Sequence, residues 1–146
     1  MRSYEGRWVG QFTLHSAATG YTETFPVEQQ YWMSGEKLHG VAVSGRNSGL
    51  QSARSETCIV RDKLVSEITK GDTIERYLGV IHEGGVLWLP EQIERANDHQ
   101  LKETILIIAG ARHIKTEGFD TYNFNGEKAL LVYRGELEFQ DERLEP

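Results

Sequence analysis

Arg7-Trp8-Val9-Gly10-Gln11-Phe12-Thr13-Leu14-His15 places Trp8, Phe12 and Leu14 on one face and Arg7, Gln11, Thr13 and His15 on the other. Strict alternation of apolar and polar residues is the period-two signature of a strand with one buried side and one wet side. The same texture recurs along the chain, in segments rich in β-branched and aromatic residues, which suit a pleated, half-buried surface. Nine further strands are predicted at Glu23–Met33, Lys37–Ser44, Ala53–Arg61, Lys63–Lys70, Thr73–His82, Val86–Leu89, Leu101–Ile108, Arg112–Glu117 and Lys128–Phe139. Turn signals separate them, among them Ser34-Gly35-Glu36, Arg61-Asp62, Lys70-Gly71-Asp72 and Asn125-Gly126. Gly71 and Gly126 are expected to supply the positive φ of tight hairpins. Good helix formers gather only at Glu91–Ala96, after Pro90, where a single turn, a short helix or a loop is expected.

Strands in hairpin succession close most simply into an up-and-down barrel, which leaves no sheet edge exposed. The expected fold is therefore all-β, a single antiparallel up-and-down β-barrel of about 8–10 strands, lipocalin-like, spanning residues 1–146 as one domain. A two-sheet sandwich is the competing architecture. The immunoglobulin version of it is excluded, because Cys58 is the only cysteine and no Cys-Trp-Cys spacing exists. A barrel of this size has an interior able to hold one small ligand.

Sixteen basic residues against 22 acidic ones give a net charge of −6, which argues against a nucleic-acid or anionic-membrane surface. The longest purely apolar run, Ile105 to Ala109, is far short of the ~20 residues that span a bilayer. Met1-Arg2-Ser3-Tyr4-Glu5 lacks the apolar stretch of a secretory leader, and a lone cysteine fits a reducing compartment, so a cytoplasmic location is expected. No nucleophile elbow, phosphate loop or dinucleotide fingerprint occurs. His15, His39, His82, His99 and His113 show no metal-ligand spacing, so no metal site is expected. The glycine-rich Ser44–Gly49 segment, with Arg46 as a cation, reads as a loop between strands rather than a phosphate cradle.

Gly6-Arg7-Trp8 resembles the opening of the calycin superfamily of lipocalin-like barrels, whose first strand starts with Gly-x-Trp. The resemblance implies that the Trp8 indole plugs one end of the barrel beneath a basic residue of a late strand. Arg112 and Arg134 are the candidates, Arg112 the first of them. A secretion signal, a disulfide pair and a mid-barrel Thr-Asp-Tyr-like triplet are all missing, which directs the resemblance to the intracellular branches. The layout is similar to the phycobiliprotein lyase-like group, through Arg76-Tyr77-Leu78, Val86–Pro90 and Ala111-Arg112-His113-Ile114. That branch implies a linear tetrapyrrole, handed to a partner protein by a barrel acting as its chaperone. Some intracellular calycins hold haem through one histidine, so a haem ligated in that way also stays open.

The expected function is the binding of a small hydrophobic or conjugated molecule inside the barrel. Its apolar body would lie against Phe12, Trp32 and Trp88, and a carboxylate would face Arg76 or Arg112. If Ile74, Leu78 and Val80 face inward, Arg76 faces inward with them and needs a partner such as Glu56. With the faces exchanged, Tyr77 and Ile81 are inside instead. A cofactor-independent isomerase or cyclase, using an acid such as Glu56 or Tyr77, and a packed interaction module are the rival functions. Cofactor identity is not legible in the chain, no catalytic residue stands out, and a homodimer or a client protein is open as partner.

Overall fold

In a computed structural model, residues 2–82, 84–92 and 98–141 are described. After one 3-10 turn, Arg2–Tyr4, the chain runs through ten strands: β1 (Gly6–Ser16), β2 (Thr22–Ser34), β3 (Lys37–Arg46), β4 (Gly49–Val60), β5 (Lys63–Lys70), β6 (Thr73–His82), β7 (Gly85–Pro90), β8 (Gln100–Ile108), β9 (Ala111–Phe124) and β10 (Glu127–Asp141). Each pairs antiparallel with its sequence neighbours, and β1 pairs with both β2 and β10, so the sheet closes into one barrel. The fold is the all-β, ten-stranded antiparallel barrel that the alternation of β1 implies. The sandwich alternative is overturned.

All ten predicted strands are present, and their ends carry the differences. The predicted ninth strand stops at Glu117, whereas β9 continues to Phe124. The strand runs through Gly118 at a close approach: a Cβ there would lie 2.4 Å from the Gln100 carbonyl oxygen and 2.9 Å from the Tyr133 ring. Ser44–Gly49 is no open loop. β3 runs to Arg46, β4 starts at Gly49, and Asn47-Ser48 make a two-residue turn. Gly71 and Gly126 have φ of 59° and 83°, as expected of those hairpins. The predicted Glu91–Ala96 turn or helix lies mostly outside the described residues; Glu91 and Gln92 form a bend. No described helix is long and apolar enough to cross a membrane.

The barrel is filled unevenly. Trp8, Leu14, Phe25, Val27, Ile114 and Leu137 form a buried cluster on the β1, β2, β9 and β10 side. Trp8 and Leu137 retain no solvent exposure. The Trp8 indole N–H donates to the Tyr4 carbonyl at 2.8 Å, which fastens the 3-10 turn across this end. Phe139 meets the indole edge-on at 5.3 Å, and the Arg112 guanidinium lies 3.9 Å over the Phe139 ring and 5.7 Å from Trp8. Arg112 is thus the late-strand cation over the plug. Arg134 stands on the outer face, in register with Thr13 and Glu117.

The opposite end is held differently. Glu23, only 2% exposed at its side chain, accepts from Arg46 Nε at 3.0 Å and Nη2 at 2.9 Å, and from the Asn47 backbone N–H at 2.6 Å. The Tyr21 hydroxyl donates to the same carboxylate, and Arg46 lies 4.8 Å over Phe25. The cation considered for a phosphate cradle is therefore neutralised internally, locking the β3–β4 hairpin onto β2.

Replacement of Trp8 by alanine is expected to cost about 3–5 kcal/mol, the range for removing a fully buried large aromatic side chain. Arg112→Gln should cost only ~1 kcal/mol, the scale of a cation–π contact. Urea unfolding of both variants checks this, and a Trp8→Ala loss below about 1 kcal/mol would remove Trp8 as the plug.

Candidate functional site

Register dictates what the interior contains. Leu38, Gly40 and Ala42 on β3 face Thr57, Ser55 and Ala53 on β4; Thr57 and Ser55 in turn face Ser66 and Ile68 on β5. Ser66 and Ile68 then face Tyr77 and Glu75 on β6. Across β7 and β8 the inward row continues through Trp88, Leu101 and Glu103. These small and polar residues cannot fill the space that Trp8, Phe25 and Leu137 fill on the other side. The result is a cavity of about 460 Å³, within the ~300–1,000 Å³ range of small-molecule sites.

One wall is made of hydroxyls. Thr57 donates to Ser66 at 3.0 Å, with Ser55 beside them in the lining. The lining contributed by β6, β7, β10 and the start of β8 is aromatic. His99 lies 5.3 Å from the Tyr77 ring and 6.2 Å from the Tyr133 ring, with its Nδ1 3.5 Å from Asp120. Trp88 continues this wall, its ring seated on Gly79, where a Cβ would come within 2.7 Å of it. At the inner end Tyr4 and Tyr31 meet edge-on at 5.7 Å, and the Tyr31 hydroxyl donates to Gln29 at 2.8 Å.

Two carboxyls face the cavity. Glu75 accepts from the Tyr77 hydroxyl. Glu103 accepts the Trp88 indole N–H at 2.8 Å on Oε1. Burial raises the Glu103 pKa above its ordinary value, and the Trp88 bond opposes that only in part. Burial, then the nearby Glu103 charge, also pushes the Tyr4 and Tyr31 phenols up, and burial does the same for Tyr133. All three phenols are therefore neutral hydrogen-bonding groups. Among the described residues, no group of three His, Cys, Asp or Glu side chains could hold a metal ion.

The residues predicted for the site separate. Trp88 lines the cavity. Phe12 packs instead against the buried cluster, its ring 6.4 Å from Phe25. Trp32 is on the outer face because its neighbour Tyr31 takes the inward position, and its ring stacks on His39 at 5.7 Å. Glu56 is also outside, 3.6 Å from Lys37 and 3.7 Å from His39. Arg76 points outward to Glu91 at 3.3 Å, with its side chain 52% exposed. Arg112 belongs to the plug at the closed end. For β6 the exchanged-face alternative holds only in part: Tyr77 lines the cavity, but Ile81 is 73% exposed, alongside Ile74 at 61% and Val80 at 42%.

Sequence reasoning missed Glu103, Glu75, His99, Tyr31 and Tyr133. The alternation within Leu101-Lys102-Glu103-Thr104-Ile105 already put Glu103 on the face of Leu101 and Ile105. An acid on an apolar strand face is the signal that could have found it.

No protein-family model matches the chain, and no curated protein matches it. Among solved structures, the barrel is similar to the S-type phycobiliprotein lyase CPES from Guillardia theta, with a TM-score of 0.56 and 7% sequence identity. The likeness covers 97% of this chain and 91% of that one. It is a likeness of fold alone, that of a closed antiparallel barrel.

The two shifted carboxyls give opposite pH responses. Glu103 titrates higher in the folded state than its ordinary 4.5, so its contribution is fully present below pH 4.5 and is lost as pH rises through the folded value. Glu23, held down to about 2 chiefly by Arg46, then by Tyr21 and Asn47, contributes above pH 4.5 and loses that contribution as pH falls towards 2. Urea midpoints measured across pH should show Glu103→Gln flattening the decline above pH 4.5 and Glu23→Gln flattening the acid limb. A wild-type profile in either variant would refute that assignment.

Proposed function

We propose that this barrel holds a flat, conjugated, mostly apolar small molecule in the cavity between the hydroxyl wall and the aromatic wall. The observation that carries the reading is the row of Tyr77, His99, Tyr133 and Trp88 along one side of an otherwise unfilled interior. Side chains of that size normally interdigitate in a core. Here they share the lining with Ser55, Thr57 and Ser66, whose small side chains leave the space unfilled. A planar π-system fits such a slot, stacking on the rings and meeting hydroxyls at its edge. Glu103 supplies one strong hydrogen-bonding group at depth, for an N–H or O–H donor of the ligand.

The finer reading is a linear tetrapyrrole, delivered to a client protein. It draws on the sequence layout and on the fold shared with a phycobiliprotein lyase. A linear tetrapyrrole has the flat conjugated body and ring N–H groups that the two walls and Glu103 would receive.

Titration with biliverdin, followed by quenching of tryptophan fluorescence and by visible circular dichroism of the bound pigment, tests this. Saturable binding with an induced visible signal is expected. Trp88→Leu should weaken it roughly 5–10-fold, the worth of one aromatic stacking contact. Trp32→Leu and Arg76→Leu, both altering the outer face, should leave affinity unchanged. An absent induced signal, or equal losses in the inner and outer variants, would overturn the reading.

A further inference from the structure

Side chains on a strand stand roughly perpendicular to the sheet, so a large ring on an inward row is expected to point towards the middle of a barrel. Three rings that line the cavity are each paired in register with a glycine of the neighbouring strand: Tyr31 with Gly40, Trp88 with Gly79 and Tyr133 with Gly118. Each ring occupies the place where that glycine's side chain would be. A Cβ on Gly40 would come within 2.7 Å of the Tyr31 ring, one on Gly79 within 2.7 Å of the Trp88 ring, and one on Gly118 within 2.9 Å of the Tyr133 ring. Real Cβ atoms do not approach so closely, so a side chain and the ring cannot share these positions.

The far ends of two of the rings show how they lie. The Trp88 ring atoms Cε3 and Cζ3 sit over Gly79 on β6, while the indole N–H, on the opposite side of the ring, donates to Glu103 on β8 at 2.8 Å. The indole thus reaches from β6 to β8 across its own strand. Tyr133, on β10, leans over Gly118 on β9 and brings its hydroxyl to 3.4 Å from Nδ1 of His99, the residue before β8 begins. Both rings run along the wall instead of across the cavity. Phe12 lies on Gly135 in a similar way, but within the buried cluster, whereas Trp88 and Tyr133 border unfilled space. A glycine inside a strand weakens it and packs nothing of its own. What Gly79 and Gly118 supply is room for the ring beside them.

We propose that Gly79 and Gly118 are positioning residues of the ligand site: by laying Trp88 and Tyr133 along the wall, they keep open the slot that a flat π-system enters and fix the two rings on which it stacks. The inference rests on the proposed binding of a conjugated molecule in the cavity, and names what sets the width of its slot. Selectivity for a flat body then depends on two residues that have no side chain to touch it. A methyl group at position 79 would push the indole off β6 towards the middle of the cavity, into the space of the ligand.

Gly79 is the informative position. The atoms nearest its missing Cβ are two of the Trp88 ring and the Leu64 Cβ, whereas a Cβ on Gly118 would also lie 2.4 Å from the Gln100 carbonyl oxygen and disturb the β8–β9 pairing itself. Biliverdin affinity is compared among the wild type, Gly79→Ala, Trp88→Leu and the double variant, with urea unfolding to establish that each is folded. A residue that acts through another gives a non-additive cycle. Gly79→Ala should weaken binding about tenfold, as loss of the stacking ring does. The double variant should bind as Trp88→Leu does alone, because leucine vacates the space over position 79. If Gly79→Ala does not fold, the double variant decides: folding with the affinity of Trp88→Leu supports the role, and any other result overturns it. Unchanged affinity in Gly79→Ala, or losses that multiply in the double variant, would overturn the positioning role and leave the cavity reading standing. A wild type that binds no biliverdin would overturn the cavity reading, and the positioning role with it.

Discussion

Strand β1 is bonded on both edges, to β2 and to β10, and the rest of the molecule depends on that double pairing. With the sheet closed, each inward row meets other inward rows instead of solvent, and the content of the interior follows from which residues fall on those rows. Trp8, on the first inward position after Gly6, then has no route to water. It is sealed by Tyr4, Phe139 and Arg112, and so fixes one end of the barrel as solid. Closure also removes the open edges through which a sheet of this length would recruit other strands.

The interior then divides by side-chain volume. Rings and branched chains from β1, β2, β9 and β10 meet in the middle and exclude everything else. Alanine, serine and threonine from β3, β4 and β5 stop short and leave the cavity. Stability and capacity therefore come from opposite sides of one sheet, and a substitution that enlarges Ala42, Ala53 or Ser55 would remove space without touching the buried cluster. The Glu23–Arg46 lock adds to this division, because it anchors the β3–β4 hairpin, whose stem walls the cavity, to the packed side.

This division explains what was legible in the chain. The alternation of β1 revealed the strand, the turn spacing revealed ten of them, and Gly6-Arg7-Trp8 indicated the plug, because packed rows obey the rule that apolar residues point inward. β6 does not obey it. Its inward row is Thr73, Glu75, Tyr77 and Gly79, while Ile74, Arg76, Leu78 and Val80 face outward. A row that lines unfilled space need not be apolar, so polarity there misreports direction. That inversion left the direction of Arg76 open and hid Glu75. Trp32 carried no sign of its direction: only the register with β3 shows that Tyr31, facing Gly40, is the inner ring of Tyr31-Trp32. Glu103 was readable in principle, and Tyr133 and His99 depended on partners far away in sequence.

The solid end has a kinetic consequence. A barrel open at both ends could load at one and discharge at the other, but a plugged one has a single door. Entry and exit of any occupant then share one transition state, so a change confined to that barrier speeds capture and escape alike and leaves affinity to the contacts made inside. A bound molecule also leaves in the reverse of the order in which it entered.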